Sequence, residues 1–253
     1  MTYDGQEVAQ VRNPMLIVSA VAWLLLLADP GGAVMSTHEP AVHSGAMAAA
    51  SLHMLLATHP PASLAVGWVL MLVAMMTPVL ISPVGHLRLR SFAYRRARTI
   101  TLFVAAYAAI WIVLGGVLVA VALAATLSAA QSYLPAAGAA LLALVWQSSP
   151  TKQHCLNRCH AHPELAAFGV AADIDALRFG TTHGIWCAGS CWVLMLCPML
   201  VPSGQNVAMV AAAVVVFSER LERPRPACWR LRGLGKAMRI AAAQVRIRVK
   251  AVA

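Results

Sequence analysis

Histidine, cysteine and methionine residues recur every four residues in one apolar stretch of the sequence, at His183, Cys187, Cys191, Met195 and Met199. On an α-helix, residues four apart lie one above the other on nearly the same face. Each step of four drifts by about 40°, so three neighbours can share a site but all five cannot. Imidazole, thiolate and thioether groups are the ligands that soft metals such as Cu(I) prefer. The spacing therefore predicts a soft-metal site formed by His183, Cys187 and Cys191.

Packing is the alternative interpretation of these residues. Cysteine and methionine pack well in apolar helices, and the small residues between them allow helices to approach closely. An imidazole within an apolar span is costly, however, and by default indicates a functional position. His183 therefore favours a metal role for the three residues.

Further possible ligands lie in other parts of the chain. Cys155 and Cys159, also four residues apart, precede the ladder in a polar segment and are predicted to complete the metal shell. Methionines in two apolar runs could add soft thioethers, and an outer segment without Lys or Arg is rich in histidine, which indicates metal capture. The additional soft ligands are Met71, Met75, Met76, Met195 and Met199, and the outer histidines are His38, His43, His53 and His59.

The composition is that of a membrane protein. Of the 253 residues, 60% are hydrophobic and 11% are charged, whereas a soluble domain has about 25% charged residues. The sequence predicts an all-α, polytopic bundle of about six transmembrane helices. The apolar runs lie at about 14–28, 62–84, 99–128, 133–147, 183–201 and 205–221. The net charge of +10 comes from clusters between these runs, so lipid contact is predicted and nucleic-acid binding is not.

The basic residues predict the topology. All 19 Lys and Arg residues lie in 1–13, 86–98, 148–182 and the part of the chain from Arg220 onward, which the positive-inside rule places in the cytoplasm together with both termini. Residues 30–60 then form an outer loop and 148–182 a Cys-rich cytoplasmic loop, within a single transmembrane domain of residues 1–226. Residues 227–253 form a basic tail predicted to lie on the membrane surface. The first run resembles a signal peptide but lacks a clear A-x-A site, so it is predicted to remain as a helix.

A set of motifs spread over residues 62–226 resembles a known bacterial family, the predicted metal-binding integral membrane proteins. The matching residues are Lys152-x-x-Cys155-Leu156-x-x-Cys159, Gly180-x-x-His183-Gly184-x-Trp186-Cys187-x-Gly189-x-Cys191-Trp192-x-Leu194-Met195, Trp68-x-x-Met71-x-x-Ala74-Met75-Met76-x-Pro78, Tyr107-x-x-x-Trp111 and Glu219-Arg220. Where that family commonly has two adjacent cysteines, this chain has Ser190 and Cys191. The family has no established reaction, and its members are often called copper chaperones. The resemblance implies a multi-pass protein of the bacterial inner membrane that handles a metal.

Three functions are compatible with these residues. Binding, relay or transport of Cu(I) accounts for the line of soft ligands, although zinc also suits four thiolates, or three with an imidazole. A structural or assembly subunit of a larger membrane complex would make the cysteines packing residues. A membrane thiol–disulfide redox protein would use the two Cys pairs, but a reducing cytoplasm and the C-x3-C spacing argue against it. No nucleotide-binding or hydrolase motif is present, so copper handling without catalysis is the leading prediction.

Overall fold

The computed structural model describes residues 3–28, 61–128, 133–201 and 204–230, and the regular structure of these residues is helical throughout. Two 3₁₀ turns, Thr77–Leu80 and Ala93–Arg95, lead into α3 and α4. The helices are α1 Tyr3–Ala28, α2 Pro61–Met76, α3 Ile81–Arg90, α4 Arg96–Ser128, α5 Leu134–Ser148, α6 Pro150–Cys159, α7 Gly169–Leu200 and α8 Gln205–Arg220. The all-α prediction is confirmed. The predicted outer histidine loop lies outside the described residues, as does nearly all of the predicted basic tail.

Four helical segments in the described part of the chain are long and apolar enough to cross a membrane: Ala9–Ala28, Ala65–Arg90, Ala93–Ala125 and Gly169–Leu200. The second continues through Pro78, where the chain tightens into the 3₁₀ turn because proline cannot donate a helical hydrogen bond. Helices α5 and α8 have only 15 and 16 residues. A helix of that length rises about 22–24 Å, less than the roughly 30 Å of a typical hydrocarbon core. The described residues therefore contain four candidate spans, and two shorter helices occupy the positions of the other two predicted spans.

Helix α7 is the central element of the bundle. It packs against α4, α5, α6 and α8, and its contact with α4 is close because Gly180 has no side chain. A Cβ atom at Gly180 would lie 2.3 Å from the carbonyl oxygen of Phe103. At the other side of α4, Gly115 accommodates the indole of Trp68, which would lie 2.3 Å from an added Cβ. Small residues thus allow α2, α4 and α7 to approach one another.

The start of α7 corrects one sequence prediction. The fifth span was expected to begin near residue 183, after a loop at 148–182, but α7 begins at Gly169 and α6 occupies Pro150–Cys159. The polar residues in the first half of α7 made this stretch resemble a loop in the sequence. In the structure, these residues form salt bridges and hydrogen bonds. Asp173 forms salt bridges of 2.7 Å with Arg95 and Arg98, and Asp175 accepts a hydrogen bond from the backbone N–H of Ala166. His183 therefore lies about 21 Å along the helix from its start and does not mark the end of the span.

Several long-range hydrogen bonds join the basic segments at one end of the bundle. Arg88 of α3 donates to Gln10 of α1, and Arg95 binds both Asp173 and the carbonyl of Gly169 at the start of α7. Asn157 of α6 donates to the carbonyl oxygen of Arg225, which follows α8. The described segments that carry these Lys and Arg residues are therefore linked to neighbouring helices, and the side of the membrane on which they lie stays a prediction.

Candidate metal-binding site

Cys187 lies where α2, α4, α7 and α8 meet, and its thiol is fully buried. Arg220 Nη2 of α8 donates a hydrogen bond of 3.0 Å to Cys187 Sγ, and the Tyr107 hydroxyl of α4 lies 3.3 Å from the same sulfur. Met76 Sδ, at the end of α2, is 4.0 Å away. The sulfur therefore has a cation, a hydroxyl and a thioether around it, each from a different helix.

Three other thiols lie on α6 and α7 in the same part of the bundle. Cys191, one turn along α7, donates a hydrogen bond of 3.1 Å to the Cys187 carbonyl oxygen. Cys159, at the end of α6, interacts with Arg220 and is close enough to Cys187 for their charges to interact. Cys155 packs on α7, since a Cβ atom at Gly189 would lie 3.0 Å from its sulfur. All six cysteines lie in the described part of the chain, and none of them forms a disulfide there.

The two thiols of α6 are protonated at neutral pH. Burial raises the pKa of Cys159 to about 12, although the nearby Arg220 opposes the shift. Burial likewise raises the pKa of Cys155. A metal that takes either sulfur as a ligand must therefore displace a proton, and its binding energy must supply that cost.

Arg220 is held in place by a buried ion pair next to it in sequence. Lys152 Nζ of α6 lies 2.9 Å from a carboxylate oxygen of Glu219, with the two side chains 0% and 4% exposed. Gln147, at the end of α5, accepts from Lys152 at 2.5 Å and donates to Glu219. The pair fixes the end of α8 against α5 and α6, and thereby directs the next side chain, Arg220, towards Cys187 and the Ser190 hydroxyl, 3.2 Å away.

His183 is the least satisfied polar residue near the site. It is 4% exposed, and neither ring nitrogen has a hydrogen-bond partner in the part of the chain that the structure describes. The rings of Phe103, Tyr107 and Phe179 pack around it, with centroids 5.7–6.0 Å from its own. An unpaired imidazole at such burial costs free energy unless a ligand uses a nitrogen lone pair.

The predicted methionine ligands divide into two groups. Met76 contacts the Cys187 sulfur, as described above. The others are buried in the hydrophobic core of the bundle, and packing accounts for their positions. These core residues are Met71, Met75, Met195 and Met199.

The donor set suits copper better than zinc. Among the described residues, no three His, Cys, Asp or Glu side chains lie close enough together to hold a metal ion, so the shell predicted from His183, Cys187, Cys191, Cys155 and Cys159 stays a prediction. Zinc requires four ligands in a tetrahedral shell, usually thiolates and imidazoles. Cu(I) is stable with two or three soft donors, and Cys187 has thiols and a thioether next to it. The residues therefore fit a low-coordinate Cu(I) ion.

Ligand spacing alone did not identify Tyr107, Arg220 or the Lys152–Glu219 pair as parts of the site. They have no metal-binding pattern of their own, since their role depends on which helices pack around α7. The signal that marked them was the resemblance, because Lys152, Tyr107, Glu219 and Arg220 all belong to the motifs quoted for it.

A comparison with protein families gives one match. A family model named PpoB2 and described as copper chaperone matches residues 65–243. That range contains Met76, Tyr107, the four thiols around the site and Arg220. No curated protein and no solved structure matches the chain.

Proposed function

We propose, from the premise that this chain belongs to the PpoB2 copper chaperone family, that it binds Cu(I) at Cys187 and passes the ion on. Copper is its cargo in this proposal. Cys187 and Cys191 supply the thiolates, and Met76 supplies a thioether. Cys159 of α6 holds the ion only as it enters or leaves and is otherwise a protonated thiol. The observation that carries the proposal is the contact of Cys187 Sγ with Met76 Sδ and the Arg220 guanidinium.

The charge of Arg220 supports a monovalent ion. Two thiolates with Cu(I) carry a net charge of −1, which the guanidinium neutralises. Two thiolates with Zn²⁺ are already neutral, so Arg220 would leave a net charge of +1 in a buried site. Uncompensated charge is costly there, so Cu(I) is favoured over Zn²⁺ by electrostatics as well as by ligand softness.

A copper site that has few ligands and is buried among helices is compatible with a protein that carries copper and passes it on. A low-coordinate ion leaves room for an incoming ligand, so a partner's thiol can attack the metal before the old bonds break. The raised pKa of Cys159 favours release, because the sulfur readily takes back its proton when copper leaves.

The test compares copper content among serine variants of one helix. The purified protein is loaded anaerobically with Cu(I), dialysed against a competing chelator and analysed for metal. Cys187→Ser should bind no copper, and Cys191→Ser should bind it more weakly by about tenfold or more. Cys197→Ser is the matched control, because its thiol lies further along α7 against the Ala139 carbonyl. Equal copper in all variants, or none in the native protein, would refute the proposal.

A further inference from the structure

A cavity of 930 Å³ lies beside the thiol site, towards the end of the bundle where the described basic segments meet. Its wall is formed by α3, the turn before it, the segment that follows Cys159, and parts of α1, α7 and α8. Cys159, His183 and Arg220 all line it. The cavity is therefore next to the proposed copper ligands and shares residues with them.

The volume is that of a small-molecule site. Ligand pockets usually measure about 300–1,000 Å³, and a bare metal ion needs only a small fraction of that. Of the described residues that line the cavity, none is aspartate or glutamate, and Arg220 is the one that carries a fixed charge. His86, His160 and His162 add polar ring nitrogens to the wall. An anionic guest of moderate size is thus favoured over a free cation.

Two buried side chains in this wall have polar atoms without a hydrogen-bond partner among the described residues. These atoms are both ring nitrogens of His183 and the Nε of Arg220. His183 can offer a lone pair to a soft metal, and the Arg220 Nε–H can donate to an anion. The His183 nitrogens and the Arg220 Nε–H together favour a ligand that contains both a soft metal and a negative charge.

We propose that this cavity binds Cu(I) carried by a small anionic thiol, and that copper exchanges there between the carrier and Cys159. This inference rests on the proposed function and names its copper donor. In the exchange, the bond from copper to the carrier's sulfur breaks as a bond to Cys159 Sγ forms. The proton of the Cys159 thiol passes to the carrier's sulfur, which leaves as a thiol, and copper stays Cu(I). No oxidant or reductant is required.

The geometry supplies a route inward from Cys159. Arg220 interacts with Cys159 and donates to Cys187 Sγ at 3.0 Å, so the two sulfurs interact with the same guanidinium. His183 lines the cavity and lies one turn before Cys187 on α7. Copper can therefore move from Cys159 towards Cys187 without leaving the protein.

Gly85 provides a way to fill the cavity without disturbing the fold. It lines the cavity from α3, and a Cβ atom there would have nothing within 4 Å. Leucine is also a better helix former than glycine. Gly116→Leu is the matched control, because Gly116 also lies in a helix with open space around its Cβ position but is not part of this wall.

The experiment measures the rate at which the purified full-length protein takes Cu(I) from its glutathione complex. Gly85→Leu should slow this transfer by about tenfold or more, while Gly116→Leu transfers copper at the native rate. Both variants should reach native copper content when Cu(I) is supplied as its acetonitrile complex. S-methylglutathione, which has the carrier's charge but no thiol, should compete with transfer to the native protein.

The outcomes separate this inference from the function on which it rests. If the native protein takes no copper from either source, the proposed function fails. If it does take copper, the inference is overturned when Gly85→Leu transfers copper at the native rate or when S-methylglutathione does not compete. If a phospholipid occupied the cavity instead of the thiol carrier, S-methylglutathione would not compete.

Discussion

The ion pair between Lys152 and Glu219 should be a main determinant of stability, because both side chains are almost fully inaccessible. Replacing Lys152 with methionine keeps most of its volume but leaves the Glu219 carboxylate buried without its cation. Breaking a buried pair on one side costs about 3–5 kcal/mol. Gln147 still donates to Glu219, and this remaining hydrogen bond places the expected loss at the lower end, about 3 kcal/mol. That corresponds to a folding constant lower by about a hundredfold.

The assay is equilibrium unfolding in mixed micelles, followed by circular dichroism, for four proteins. A matched control comes from Arg98, which pairs with Asp173 at 2.7 Å but is 67% exposed. Exposed pairs contribute about 0–1 kcal/mol, so Arg98→Met should have little effect. The double variant Lys152→Met, Glu219→Gln should recover most of the loss, because the new amide is neutral and can still bond to Gln147.

The reasoning is refuted if Lys152→Met costs no more than Arg98→Met, which would mean that water reaches the pair. It is also refuted if the double variant is less stable than Lys152→Met alone. In that case, the Glu219 carboxylate would stabilise the fold even without the lysine, and leaving it unpaired would not be the cause of the loss. A loss of copper that is recovered together with stability in the double variant would further connect the pair to the orientation of Arg220.

Three further predictions test the packing, the ligands and the topology. Gly180→Ala should destabilise the protein by about 1–3 kcal/mol in the same unfolding assay, because its Cβ would meet the Phe103 carbonyl, whereas Gly116→Ala should be neutral or stabilising. Met76→Leu should lower the affinity for Cu(I) but not for zinc in chelator competition, since only copper gains from a thioether. Met195→Leu, within the core, should change neither of these affinities. Cys228, which is exposed, should not react with a membrane-impermeant maleimide in intact cells but should react after lysis, as the positive-inside rule requires; labelling in intact cells would reverse the topology.

Helix content and the sulfur ladder could be predicted from the sequence because both depend on local spacing. Apolar runs gave the helices, with ends close to the observed ones for α4, α5 and α8. The start of α7 was missed because Asp173 and Asp175 read as loop residues. Their partners lie in α4, its preceding turn and the chain just before α7, and such pairings are not visible in a one-dimensional pattern. The cavity could not be predicted for the same reason, because its wall combines segments from residue 11 to residue 221.

Arg220 shows which features of the site can be predicted from the sequence and which depend on the fold. Its charge follows from the sequence, and positive-inside reasoning assigned it only a topological role. Its position at 3.0 Å from Cys187 depends on three helices, because α5 and α6 fix Glu219 and so direct the next residue of α8 towards α7. A guanidinium in that position adds one positive charge to the buried site. The total charge of the site then depends on the valence of the metal that the thiolates bind. Ligand softness alone favours copper without setting its valence, whereas softness together with a fixed positive charge favours the monovalent ion.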